Sequence, residues 1–482
     1  MKITTANETY TVTPTKHKSV SIGPSLFVRK MFKHLDLFSL FTPLKKRGVD
    51  ICTLVEANIA YKTTENFSIK RAHEWIMQPS IRDFYGLDSF NERTQYRVLD
   101  TLGRNFDRLI SGLQDRIFSK YSFESTDVNL DWTSICLHGH ASPLGKFGYS
   151  RDHRPDKLQL TLGLTELAKP NNIPIGITVN AGNVNDMTHF KATLLQSQKH
   201  LKKGSVIIFD KGADSAPNLN LVDDLGHYYL TAKKFNKSDD KILETFWKSN
   251  PIHINPDVMK PNNRIFALVR PKRSSTTYYY FSESLEVQNL EAISRKAYRK
   301  FLEAEQFQNC IRNGRKIPKK FRLSNPLVKI TYTVQMQLRD MDEDEAVEFL
   351  KKDLRTGREG FFALTSSKKL TAKEALDEYR RRDSIEKIFH SLKNEIEIKP
   401  LRVWTENCIR GAILIGFLAQ LFVSLARFEV LQAKHMATKF ILNSLKKLTL
   451  TTMKLKNGSL RSVYSNFDDL NLELLGMKTG VG

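Results

Sequence analysis

The chain has 482 residues, enough for two to four domains and a large core. Its 75 Lys and Arg outnumber 52 Asp and Glu, giving a formal net charge of +23 and a pI near 9.6. That excess favours a polyanionic partner, either nucleic acid or an anionic membrane surface. The membrane is the weaker option. The longest apolar run, 411–426, contains Gln420 and falls short of the roughly 20 residues that span a bilayer, so it reads as a buried helix. The first residues lack the apolar stretch of a signal peptide. Cys52, Cys136, Cys310 and Cys408 are isolated, form no metal-ligand spacing and suggest a reducing compartment.

In chain order, residues 1–125 read as mostly helical, with apolar residues at helical intervals over 25–41, 50–61, 68–77 and 91–121. In the last stretch Val98, Leu99, Leu102, Phe106, Leu109, Ile110 and Leu113 make the apolar stripe, and Arg93, Arg97, Arg104 and Arg108 the other face. Such a domain could bind DNA or simply pack, and no helix-turn-helix signal decides between the two. From about 126 the pattern changes to strands at 128–137, 158–164 and 173–180, then a helix at 187–198 and a strand at 206–209. Three strands with short connections predict an antiparallel meander. The helix then allows a crossover to a fourth strand parallel to the first. That is the element order of an RNase H-like core. In it Asp131, on the first strand, and Asp210, closing the fourth, converge.

Residues 217–358 interrupt this core with strand-like runs at 264–269, 277–281 and 328–335 and a helical stretch at 285–312. A basic knot follows that helix: Arg312, Arg315, Lys316, Lys319, Lys320 and Arg322, with no acid among residues 311–323. It reads as a solvated loop or as a phosphate-contact strip. A strand at 360–364 is expected to rejoin the core. Residues 431–482 are polar and basic, with periodicity only at 440–448. The division expected is 1–125, 126–216, 217–358, 359–430 and 431–482. The fold class expected is α/β: an RNase H-like catalytic core interrupted by a mainly β insertion, with a helical N-terminal domain.

Between the last core strand and the apolar helix lie Tyr379, Arg382, Glu386 and Lys393, spaced by three, four and seven. On one continuous helix all four share a narrow stripe. The bland reading is a solvated face with stabilising charge pairs. The functional reading joins Glu386 to Asp131 and Asp210 as three hard oxygen ligands, suited to Mg²⁺ or Mn²⁺. Two such ions, about 3.5–4 Å apart, would activate the attacking oxygen and stabilise the leaving one in phosphodiester chemistry. Arg382 could grip a phosphate bidentately, Lys393 as a point charge, and Tyr379 by a hydrogen bond or by stacking. His138, His140 and His153 lack a further Cys or His pair to complete a zinc site, so a structural or solvent-facing role is expected.

These residues carry a resemblance. The Tyr-x2-Arg-x3-Glu-x6-Lys pattern of Tyr379, Arg382, Glu386 and Lys393 resembles the signature of DDE transposases of prokaryotic insertion sequences, in the insertion sequence four family or a close relative. Leu130-Asp131-Trp132-Thr133 is similar to the segment of the first catalytic Asp. Phe209-Asp210-Lys211-Gly212 is similar to that of the second, with Lys211 where the family usually has Arg. Residues 148–157 look like a segment of one branch of these enzymes, and 182–186 like its Gly-Asn-x2-Asp turn. The resemblance covers roughly 126–430.

It implies metal-dependent cleavage at insertion-sequence ends and strand transfer into target DNA, by a homodimer acting on double-stranded DNA in a prokaryotic cytoplasm at the nucleoid. It also implies that Tyr379, Arg382 and Lys393 contact DNA, and that a tryptophan in the insertion, here Trp247, stacks on a flipped base. The basic strip of Arg315, Lys316, Lys319 and Lys320 is a further expected DNA contact. The competing readings are an RNase H-like nuclease that does not transpose and a catalytically silent DNA-binding descendant.

Overall fold

The computed structural model describes residues 2–4, 9–11, 18–45, 47–65, 68–138, 142–254, 264–315, 337–454 and 459–477. By contact the chain divides into two units, Met1–Tyr229 with Tyr379–Gly482, and Leu230–Glu378.

The first unit is built on four strands: β1 (Val128–Cys136), β2 (Gln159–Leu167), β3 (Ile173–Ala181) and, after helix α1 (Asp186–Ser197), β4 (Val206–Phe209). Their order is β3-β2-β1-β4. The first three pair antiparallel, whereas β4 runs parallel to β1 through Val128↔Ile207 and Asn129↔Ile208. The crossover through α1 permits that parallel pairing. All nine residues of β2 are buried, which explains its near-continuous apolar reading. A Cβ on Gly163 would collide with the Thr193 hydroxyl, so the glycine lets α1 settle on the sheet. There Trp132 Nε1 donates to Thr193 Oγ1 at 3.0 Å. Asn185 caps α1, its side chain accepting from Thr188 N–H at 3.0 Å.

The chain leaves the second unit near the end of α2 (Ala372–Arg380) and continues through α3 (Asp383–Asn394) and α4 (Glu406–Glu429). α4 contains the predicted apolar stretch. Among the described residues it is the only helix long and apolar enough to cross a membrane, and 94% of its most apolar window is buried in the protein. The helix Arg93–Arg104 crosses it closely. A Cβ on Gly103 would strike the Asn407 carbonyl, and one on Gly411 the Leu99 carbonyl. These two glycines set the approach, and the helices of 23–120 share one core with α4 and the sheet.

Three local expectations change. The stretch 91–121 is two helices, Arg93–Arg104 and Phe106–Lys120, because Asn105 folds its amide back onto the Thr101 carbonyl at 2.9 Å. A helix at Pro79–Tyr85, entered through its proline, was not expected. The C-terminal region is ordered beyond its one periodic segment. Strands Thr449–Lys454 and Leu460–Ser465 pair, and the former also pairs with Lys18–Ser21. A strand whose partner lies more than 400 residues away leaves no local periodic trace.

The second unit carries the antiparallel order Tyr228–Ala232, Phe361–Ser366, Thr276–Ser282, Ile265–Pro271, Ile252–Ile254, its first strand beginning at the unit boundary. The strand expected at 360–364 is Phe361–Ser366, whose residues fall in this unit. Phe362 stacks on Tyr280 at 4.8 Å between centroids, which fixes its pairing with Thr276–Ser282. Among the described residues the unit is mixed rather than mainly β. The 30-residue helix Glu283–Arg312 closes a small core with Glu343–Asp353 through Ala297, Tyr298, Phe301, Ala346 and Leu350. The strand expected at 328–335 lies outside the described residues.

Candidate active site

Asp131 sits in the middle of β1, and Asp210 directly follows β4. The parallel pairing of these strands brings both acids to one region of the sheet. α2 and α3 then deliver the signature residues. The single continuous helix expected for 379–393 is broken. α2 ends at Arg380, Arg381 and Arg382 form a turn, and Arg382 precedes α3. Short-range bonds replace the helical ladder there: Arg382 N–H to Tyr379 O, Ser384 N–H to Arg381 O and Ile385 N–H to Arg382 O. The break is held by a contact distant in sequence. Ser384 Oγ lies 2.9 Å from the Arg381 carbonyl and 2.8 Å from Glu166 Oε2, so its hydroxyl holds the turn against the sheet. Tyr379 thus leaves the stripe and reaches the acids from the end of α2.

The resulting cluster centres on Arg382. Its Nη1 lies 3.4 Å from Asp131 Oδ2, and its Nη2 lies 2.6 Å from Glu386 Oε1. Tyr379 Oη donates to Asp210 Oδ1 at 3.1 Å, and the guanidinium lies 5.7 Å from the Tyr379 ring centroid. Burial pushes the Asp131 carboxyl up to about 6, although Arg382 and the Trp132 backbone N–H pull it down. Burial pulls the Arg382 guanidinium down, but Asp131, Tyr379, Glu386 and Asp210 together hold it above its usual value. Burial, with Asp210 beside it, pushes the Tyr379 phenol up. Glu386 differs from its neighbours: its side chain is 54% exposed against 13% for Arg382 and 18% for Asp131.

Lys393 lies in a second knot. Its Nζ and that of Lys399 both lie 3.1 Å from Asp152 Oδ1, with Lys393 almost buried. Burial lowers the Lys393 ammonium, and Asp152 opposes this. Beside them Arg151 Nη2 bonds Asp186 Oδ2 at 2.7 Å, and its backbone N–H donates to Ser134 Oγ at 2.8 Å. In sequence, Arg151, Asp152 and Asp186 stood out only as members of the segments 148–157 and 182–186 that carry the resemblance, without a role, and Glu166 was not singled out.

The three carboxylates are hard oxygen donors. Asp131 and Glu386 both lie against Arg382, and Asp210 is joined through Tyr379. Among the described residues no three Asp, Glu, His or Cys side chains are close enough to hold a metal ion directly. As placed, Asp131 and Glu386 hold a guanidinium, so a hard cation would require Arg382 to withdraw.

Of the expected basic strip, Arg315 is exposed and belongs to the second unit, its N–H bonded to the Cys310 carbonyl. Lys316, Lys319 and Lys320 lie outside the described residues. Trp247 is half exposed, with its ring edge-on to Phe246, Phe266 and Phe281.

The family described as "Transposase DDE domain" matches residues 123–422. The chain belongs to that family. Its matched span holds β1, β4 and α3, and with them all three acids of the cluster. No curated protein matches this transposase-family chain. Among solved structures it is similar to the piggyBac transposase synaptic complex with hairpin DNA, determined by cryo-EM. That match has 10% identity over 88% of this chain and 79% of the other, with a TM-score of 0.41.

Proposed function

We propose that this transposase-family chain cuts DNA at the ends of an insertion sequence and joins those ends to target DNA, with Asp131, Asp210 and Glu386 as its catalytic acids. The observation that carries the reading is the convergence of Asp131 and Glu386 on one guanidinium, with Asp210 joined through Tyr379. Mg²⁺ or Mn²⁺, as two ions held by Asp131, Asp210 and Glu386, would supply an activated oxygen nucleophile and a stabilised leaving oxygen.

The chain's own residues do the rest. Arg382 presents a planar fork that can leave the carboxylates for a phosphate, exchanging one anion for another without being exposed unpaired. Tyr379, whose phenol stays protonated at neutral pH, offers its O–H to a phosphate oxygen next to Asp210. Lys393 adds a point charge once it turns from Asp152. The exposed Glu386 is the acid that arriving DNA would meet first. The expected assembly is a homodimer on double-stranded DNA in a prokaryotic cytoplasm, with Arg315, Lys316, Lys319 and Lys320 as outlying phosphate contacts and Trp247 as a base-stacking residue.

The test is cleavage of DNA carrying the terminal repeats that flank the coding sequence, with Mg²⁺ or Mn²⁺, by wild type and Glu386→Gln. Metal-dependent cuts at the repeat ends should fall by at least about 10³-fold in the variant, while DNA binding survives. Cuts without end preference would mean a general nuclease. Tight binding without any cut would mean a silent DNA-binding descendant.

A further inference from the structure

The face of α3 turned away from Glu386 lines a groove of about 1090 Å³. Ser384, Lys387, Ile388, Ser391 and Glu395 line it, at helical spacings of three, one, three and four. Arg382, Glu386 and Lys393 fall on the opposite side of the same helix. The groove is basic. Lys169, Arg381, Lys387, His390, Lys434 and His435 surround it, each of them exposed at the surface.

Its two acids do not cancel this charge. Glu429 turns to His34 at 3.0 Å and to the Tyr121 hydroxyl, and the charge of Glu395 acts on the partly buried Arg427. Lys169 and Lys434 form no salt bridge among the described residues. The floor is polar and already organised. Ser391 Oγ bonds Gln420 Oε1 at 2.6 Å and lies 2.7 Å from Thr438 Oγ1, to which Arg427 also donates.

We propose that this groove binds the phosphate backbone of a second duplex segment, one that is not itself attacked, while the DNA under attack lies beside the acids at the opposite face of α3. The inference rests on the transposase reading given above. Lys169, Lys387 and Lys434 are point charges that suit phosphates without reading sequence, and Arg381 adds a fork that can grip one. A helix about 10 Å across separates the faces, so two different DNA segments can be held at once.

The probe is a random-sequence duplex carrying no terminal repeat, bound to the full chain without divalent metal at several salt concentrations. Lys169→Glu with Lys434→Glu should weaken binding at least ten-fold. It should also flatten the log–log salt dependence by about two phosphate contacts. Lys191→Glu with Lys203→Glu changes the net charge equally, at exposed sites outside the groove, and should cost under three-fold. Lys169→Gln with Lys434→Gln repeats the comparison if the charge-reversed pair folds poorly.

Equal losses in the two pairs, or an unchanged salt slope, would overturn the groove and leave its charge to another occupant such as an acidic protein segment. Because the probe needs neither repeat ends nor chemistry, the two ideas fail separately. A chain that never cleaves but loses duplex binding only in the groove variant keeps the groove and loses the transposition reading. A chain that cleaves ends while the groove variant binds the duplex normally does the reverse.

Discussion

The two faces of α3 treat positive charge in opposite ways. On the acidic face, Arg382 is nearly buried and paired with Asp131 and Glu386, and Lys393 is tied to Asp152. On the groove face, Lys169, Lys387 and Lys434 stand in solvent. A buried, paired cation is positioned and costs desolvation to free, which suits selective handling of one phosphate. Exposed cations attract any polyanion and are screened by salt. One twelve-residue helix thus separates precise from indiscriminate charge.

The largest predicted effect concerns what holds α3 in place from behind the groove. Glu166 is fully buried on β2, and burial pushes its carboxyl up to about 8 from 4.5, with Asn129 and Ser384 opposing. One Ser384 hydroxyl proton cannot serve both the Arg381 carbonyl and Glu166, so a protonated Glu166 supplies the second hydrogen. The folded chain therefore keeps a proton that the unfolded chain loses between pH 4.5 and 8, and stability falls as pH rises through that window. Glu166→Gln is neutral at every pH and should abolish this fall, gaining up to roughly 5 kcal/mol over wild type above pH 8. Denaturant unfolding at pH 5 and pH 8.5 measures it. Parallel pH dependence in the two proteins would mean Glu166 is ionised in the fold, and the account of the turn would be wrong.

Next in size is the acidic face. Arg382→Ala leaves Asp131 and Glu386 facing each other without their cation and removes the phosphate fork. Cleavage should drop by about 10²–10³-fold, roughly 3–4 kcal/mol of transition-state stabilisation. Arg382→Lys keeps the charge but not the two-pronged geometry and should recover only part of that loss. Full activity in Arg382→Lys would show that charge alone matters there, and the contrast between the faces would reduce to burial.

Much of this face was legible in sequence, and the other was not. Alternating apolar strands and a following helix gave the meander and crossover, because β-period and helix-period patterns are local. The spacing of Tyr379, Arg382, Glu386 and Lys393 marked the cluster. It did not mark the break between α2 and α3, because that break depends on Ser384 meeting Glu166 more than 200 residues away in the chain. The pairing of Asp152 escaped notice for the same reason: its partners Lys393 and Lys399 are adjacent only after folding. The groove was invisible because its cations come from 169, 381–390 and 434–435, three segments far apart in the chain. Charge collected by tertiary structure leaves no mark on a linear reading.

The smallest effect separates the two explanations for a groove lysine. Lys387 Nζ lies 2.5 Å from Asp383 Oδ2, one helical turn earlier, with both side chains more than half exposed. An exposed pair of this kind contributes no more than about 0.5 kcal/mol. Asp383 is stabilised anyway by its position in the first turn of α3, where the helix dipole favours an acid. Lys387→Ala should therefore leave the unfolding midpoint nearly unchanged. If Lys387 serves only that pair, binding of the random duplex will be unchanged too. If it faces DNA in the groove, the salt slope of duplex binding will fall by about one phosphate contact while stability stays put. A variant that loses stability and salt slope together would tie Lys387 to the integrity of α3, and its face could then no longer be treated as a surface independent of the acids behind it.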